Sequence, residues 1–195
     1  MPTIVYLHGF LSSPLSAKAQ ITQAWLSKQR PDIEFLCPSL SSYPQTAHEQ
    51  LLSVLRQRPD PLYAIGSSLG GYWATVLVER GWVDKAVLIN PAVFPGVRLH
   101  EFVGSTLKHY YSDELTTLTQ KDIDFLLDNN VESLIDPTKY WLMVQKGDET
   151  LDYRHAVSKY QGARQHVEEG GNHGFEGYEA WLPDIMKFFI PSLSR

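Results

Sequence analysis

The chain has a single cysteine, Cys37, so no disulfide can form within it and the fold must be held by its core. No apolar run is long enough to cross a bilayer, which argues against a membrane-spanning protein. Positive charge is scarce. Lys and Arg number 17 against 22 Asp and Glu, and a net charge of −5 leaves no basic footprint for a nucleic acid. The 7 histidines are scattered, with no His-x-x-x-His and no cysteine pair, so no metal-binding pattern is present. No Gly-Lys-Ser/Thr follows a glycine-rich turn, which removes the Walker type of phosphate loop, and no dinucleotide fingerprint is found. No cofactor is expected. Thr3–Leu7 already reads as a strand where a signal peptide would carry its basic and apolar regions, so a cytoplasmic location is expected.

What remains is ordinary globular composition. With 195 residues, 43% hydrophobic and 20% charged, residues 1–195 are expected to form one domain with a full core. Strand and helix patterns alternate, which predicts a mostly parallel sheet with helices on both faces. Strands are expected at Thr3–Leu7, Ile33–Cys37, Leu62–Ile65, Lys85–Ile89, Tyr140–Gln145 and Gln165–Glu168. Helices are expected at Pro14–Gln29 (anchored by Leu15, Ile21, Trp25 and Leu26), Thr46–Gln57, Leu69–Arg80 with Gly81 as cap, Tyr153–Tyr160 and Phe175–Phe189. From Pro95 to Asp136 the text is polar and helical without a strand signal, and is expected to form a small helical cap over one sheet edge.

The most informative stretch is Gly66-Ser67-Ser68-Leu69-Gly70-Gly71. It places Ser68 at the centre of Gly-x-Ser-x-Gly, after an apolar strand and before a helix, the layout of a nucleophile elbow. Side chains two residues either side of Ser68 would collide across so tight a turn, and Gly66 and Gly70 remove them. The same frame selects Ser68 over Ser67, which lacks glycines at both flanks.

Serine is a weak nucleophile until a base, an orienter for that base and oxyanion donors surround it. Ligands in such sheets bind beyond the carboxyl ends of the strands, so partners should follow strands. His173, in the glycine-rich loop between the last strand and the last helix, is the expected base. His155 and His166 lie inside a predicted helix and strand, and His48, His100 and His109 precede the candidate acid in the chain. That acid is Asp148, the first carboxylate after Tyr140–Gln145, with Glu149 and Asp152 as rivals; Asp152 also suits a helix cap. Backbone N–H groups of Leu69 and Phe10 are the expected oxyanion donors, with His8 shaping the Phe10 loop. The acyl pocket is expected to include Phe10, Leu11, Leu69, Val93 and Phe94, closed by cap aromatics such as Tyr110 and Tyr111.

Together these blocks resemble the α/β-hydrolase superfamily, and more narrowly the small bacterial YqiA-type esterases. The likeness is carried by Tyr6-Leu7-His8-Gly9-Phe10 with Ser12-Ser13-Pro14 and Lys18, by the elbow, by Asn90-Pro91-Ala92, by Gly147-Asp148-Glu149 with Leu151-Asp152-Tyr153, and by Gly171-Asn172-His173 with Phe175. The resemblance implies a serine hydrolase acting on small-molecule carboxylic esters or acyl thioesters, with Ser68, Asp148 and His173 as triad. The chain has no room for strands before Thr3, so a reduced sheet of about six strands is expected. A thioesterase would want cations near the pocket for the coenzyme A phosphates, and Lys18 and Arg98 are the candidates. The reading from another class is a binding protein on a hydrolase scaffold that has no activity.

Overall fold

A computed structural model describes residues 1–56, 58 and 61–190. Six strands, β1 (Thr3–Leu7), β2 (Glu34–Leu36), β3 (Leu62–Ser67), β4 (Lys85–Ile89) and two later ones at Tyr140–Gln145 and Arg164–Glu168, form one sheet. Every pairing between them is parallel. The later two are β7 and β8, because a small hairpin, β5 (Thr106–Lys108) and β6 (Leu115–Thr117), comes between. The sheet order is β2-β1-β3-β4-β7-β8. The chain leaves β1 in one direction and returns at β3 on its other side, so the strand order reverses between β1 and β3. In an open α/β sheet that reversal opens a crevice at the carboxyl edge.

The alternation of the strands builds the layers. Ile4, Tyr6, Ile65, Val87, Ile89, Trp141 and Met143 face one side, where α1 (Ala17–Gln29) and α7 (Leu182–Phe189) close the core. Val5, Leu7, Ala64, Leu88, Leu142 and Val144 face the other, against α2 (Pro44–Leu55), α3 (Leu69–Glu79) and α6 (Tyr153–Lys159). Because both faces are covered, the central strands are apolar throughout rather than alternately polar. α3 ends as expected at Gly81. With φ at +72° it donates its N–H to Val78 O, while the Trp82 N–H reaches Leu77 O, the paired bonds of a Schellman cap.

Several elements depart from expectation. The region from Pro95 to Asp136 is not purely helical: it holds α4 (Pro95–Leu99), the β5–β6 hairpin and α5 (Gln120–Asp128). The strands of the hairpin are three residues long and largely exposed, too short to show a period. Thr106, Thr116 and Thr117 were the available signal, since β-branched residues favour strands. The hairpin is pinned by His109, a buried side chain whose Nε2 lies 2.8 Å from Thr116 Oγ1 and 3.4 Å from Ser42 Oγ. α1 begins at Ala17 rather than Pro14, so Leu15 is 62% exposed and anchors nothing. The closing helix begins at Leu182. Phe175 and Gly177 both have positive φ, which breaks a helix before it, and Pro183 suits its first turn. α2 starts two residues before expectation, and its expected end at Gln57 lies outside the described residues. No helix among the described residues is long and apolar enough to cross a membrane.

Candidate active site

The carboxyl edge of the sheet gathers the predicted residues from four strand ends. β3 ends at Ser67, and Ser68 takes φ +55° and ψ −122° before α3 begins. A non-glycine residue held there is strained, and such strain concentrates at functional turns. The chain can turn so tightly because a Cβ on Gly66 would collide with the Gly70 carbonyl, and one on Gly70 with Leu7 O at the end of β1. Neighbouring backbone grips the elbow from β4: the Ser68 N–H donates to Ile89 O at 3.1 Å, and the Ala92 N–H donates to Ser68 O at 2.9 Å.

His173 arrives from the loop after β8, with Nε2 3.1 Å from Ser68 Oγ. Its Nδ1 lies 2.8 Å from Asp148 Oδ2 in the turn after β7. Since a carboxylate only accepts, Nδ1 carries the proton and Nε2 is left to accept from the serine hydroxyl. The Asp148 side chain is 2% exposed, and its other oxygen accepts the N–H groups of Thr150 and Leu151, each at 2.8 Å. It is therefore fixed before it meets the imidazole. The rival carboxylates are engaged elsewhere. Asp152 caps α6 and pairs with Arg154. Glu149 Oε2 accepts the His173 backbone N–H at 3.0 Å, a bond that holds its carboxyl below the usual range.

Three groups that hold the His173 loop were not singled out for that role from the sequence. Glu149 is one. Gln145 Oε1 accepts the N–H groups of Asn172 at 3.2 Å and Glu176 at 2.8 Å. Lys18 donates from Nζ to Gly174 O at 2.7 Å, and burial pushes its pKa down to about 8 against the pull of Asp148. Strand-end position marked Gln145 and Glu149, but nothing in their spacing showed what they reach.

Beside Ser68 lies a cavity of about 520 Å³, within the range of small-molecule sites. Phe10, Leu11, Leu69, Leu99, Phe102 and Leu107 give it apolar walls, with Tyr110 and Tyr111 from the link between β5 and β6 and Lys18 and Arg98 among its polar lining. The link between β5 and β6 docks on the loop after β1: the Tyr110 N–H donates to Leu11 O at 2.9 Å, and Leu11 itself has φ +55°. Val93 and Phe94, expected on this wall, lie outside it. Val93 is buried in the core beneath α4, and Phe94 turns its ring to Lys159 Nζ, 5.2 Å away. Both line an adjoining groove. Among the described residues the Phe10 and Leu69 N–H groups have no acceptor in the protein, and no group of three His, Cys, Asp or Glu side chains is placed to hold a metal ion.

His8 is buried and bonded at both nitrogens: Nε2 accepts the Leu40 N–H at 3.0 Å and Nδ1 lies 3.0 Å from Gly9 O. Burial lowers its pKa from the ordinary 6.5. The folded state thus binds a proton less readily than the unfolded chain, so this contribution to stability is present above pH 6.5 and is lost as pH falls through the folded value. The thermal midpoint should drop as pH is lowered from 6.5, and drop less in His8→Gln. Parallel curves for the two proteins would refute this.

A family model described as "Uncharacterised protein family (UPF0227)" matches residues 3–190, nearly the whole chain. The chain belongs to that family. Solved structures place this UPF0227 chain among known folds. Est1E from Butyrivibrio proteoclasticus superposes with a TM-score of 0.77 at 16% identity, over 100% of this chain and 89% of that one. Alpha/beta hydrolase domain-containing protein 10 from mouse gives 0.73 at 18%, over 98% and 90%. Carboxylesterase CesB from Bacillus subtilis gives 0.61 at 17%, over 97% and 84%. At such identities the likeness is one of fold: the UPF0227 chain has the α/β-hydrolase fold, with a six-stranded sheet.

Proposed function

We propose that the chain acts as a single-domain serine hydrolase of carboxylic esters, with Ser68 as nucleophile, His173 as base and Asp148 as orienting acid. The observation that carries this is the hydrogen-bonded series Ser68 Oγ, His173 and Asp148, at 3.1 and 2.8 Å, opening on an apolar cavity. In the proposed reaction Ser68 Oγ attacks the ester carbonyl carbon while His173 Nε2 takes its proton. The carbonyl oxygen becomes an oxyanion held by the Phe10 and Leu69 N–H groups, which have no acceptor among the described residues. Asp148 stabilises the imidazolium without taking its proton. His173 then protonates the departing alkoxide, giving free alcohol and an acyl-Ser68. Water attacks the acyl-enzyme with His173 again as base, releasing the carboxylic acid and restoring Ser68.

The second reading, an acyl thioesterase using the same three residues, is favoured by Lys18 and Arg98 on the cavity wall, two cations available to an anionic leaving group. A panel of p-nitrophenyl esters of increasing acyl length, an aromatic acyl ester and acyl-coenzyme A thioesters separates the readings. The aromatic arm is included because Est1E is known with ferulic acid bound and because Phe10, Phe102, Tyr110 and Tyr111 line this cavity. The proposal expects kcat/KM to be highest for an ester. Higher kcat/KM for thioesters, with loss in Arg98→Ala, would favour the second reading, and no turnover of any substrate would leave a binding protein.

A further inference from the structure

Asn90 follows the last residue of β4 and is 2% exposed, with φ at +41°, a conformation that asparagine tolerates better than most residues. A polar side chain is buried in this way only if its hydrogen bonds are made, and here three are. Nδ2 donates to Asn172 O at 3.0 Å and to His173 O at 3.1 Å. Oδ1 accepts the Gln145 N–H at 3.0 Å. The amide orientation is fixed by these partners, since the reverse would set its oxygen against two carbonyls.

Each partner belongs to a different part of the site. Asn172 and His173 carry the imidazole. The carbonyl of Gln145 accepts the Asp148 N–H at 3.1 Å, so the turn bearing the carboxylate starts at the same residue. The residues flanking Asn90 hold the elbow through Ile89 O and the Ala92 N–H. The side chain therefore joins the backbones that carry base and acid, while the backbone on either side of it holds the nucleophile.

We propose that Asn90 is a positioning residue: its carboxamide sets the distance between the His173 imidazole and Ser68 by holding the His173 loop to the ends of β4 and β7. This rests on the reading of His173 as the base. Asn90 touches neither substrate nor reacting atoms, and acts through the two carbonyls it holds. A displacement of the imidazole by about 1 Å is enough to cost on the order of 100-fold in rate, and among the described residues the other side chains that bond the loop's backbone are Gln145, Glu149 and Lys18, beside the Gly147 N–H on Gly170 O.

Two substitutions test this while suiting the positive φ. Asn90→Gly removes the carboxamide. Asn90→Asp keeps an acceptor for Gln145 but sets a carboxylate oxygen against the two carbonyls. The charged groups already around the loop include Asp148, Glu149, Glu168, Glu169, Glu176, Lys18 and Lys146, and the new carboxylate adds one negative charge near the imidazole, which favours its protonated form. Turnover of a p-nitrophenyl ester is followed against pH, beside His173→Ala and with thermal melts of each variant. The expected result is a kcat lower by about 10- to 100-fold in both variants with KM within about twofold, and an acid limb moved to higher pH in Asn90→Asp alone. A purely structural role would lower the melting midpoint and leave kcat and the acid limb in place. Parental kcat in both Asn90 variants, with His173→Ala inactive, would overturn the proposal. Parental kcat in His173→Ala would instead overturn the assignment of the base.

Discussion

Ser68→Ala and His173→Ala should each lower kcat for a p-nitrophenyl ester by about 10⁴- to 10⁶-fold, and the double variant should lose little more than either. The expectation follows from the geometry. With Nδ1 engaged by Asp148, His173 presents a lone pair to Ser68 Oγ at 3.1 Å, so hydroxyl and imidazole share one proton in one step. Removing either ends that step, and removing the second takes away nothing still in use. Asp148→Asn should cost about 10⁴-fold, because the amide oxygen is kept by the Thr150 and Leu151 N–H groups and the amide NH2 then donates to Nδ1, fixing the wrong imidazole tautomer. Glu149→Gln should cost far less, since Glu149 bonds the His173 backbone N–H and an amide oxygen accepts that bond equally well. Losses for Ser68 and His173 that multiply in the double variant would mean the two act in separate steps, against the proposed mechanism.

The largest expected effect on stability is at Gly70. An added Cβ would land on Leu7 O, 2.5 Å from the Leu7 carbonyl carbon and 2.9 Å from His8 O. All three are backbone atoms at the end of β1, in the middle of the sheet, and none can swing aside. Gly70→Ala should therefore lose about 3 kcal/mol or more, the upper end of what overpacking costs. Gly81→Ala is the matched comparison. Its Cβ meets nothing within 4 Å, so only the strain of φ +72° remains, about 1 kcal/mol. Denaturant melts of the two proteins measure the difference directly. Equal losses would show that the close approach of α3 to β1 is not what Gly70 permits.

Much of this was legible in the sequence because the relevant signals are local. Alternate apolar residues in Thr3–Leu7 and Tyr140–Gln145 divide between two cores, and such runs point to a covered parallel sheet. The elbow is confined to six residues whose glycines have a steric task. His173 and Asp148 follow strands, and strand ends meet at one edge of a parallel sheet. What the sequence hid is long-range or short in extent. The bonds of Asn90 span 55, 82 and 83 residues, and nothing beside it in the chain shows what it reaches. The β5–β6 hairpin has strands too short for any period. Val93 and Phe94 follow the right strand, but they line the neighbouring groove, and their spacing in the chain did not show which side they take. The backbone at Phe175 and Gly177, with positive φ at both, is set by the loop that delivers His173, which delays the last helix to Leu182.

The central claim is that Ser68 is a nucleophile activated within this site. Labelling with a fluorophosphonate, read by intact mass and by peptide mapping, tests it most directly. The account predicts a single adduct on Ser68 in the parent protein, the same adduct in Ser67→Ala, and none in Ser68→Ala or His173→Ala. An adduct that persists in Ser68→Ala, or a parent protein that takes no label, would contradict it.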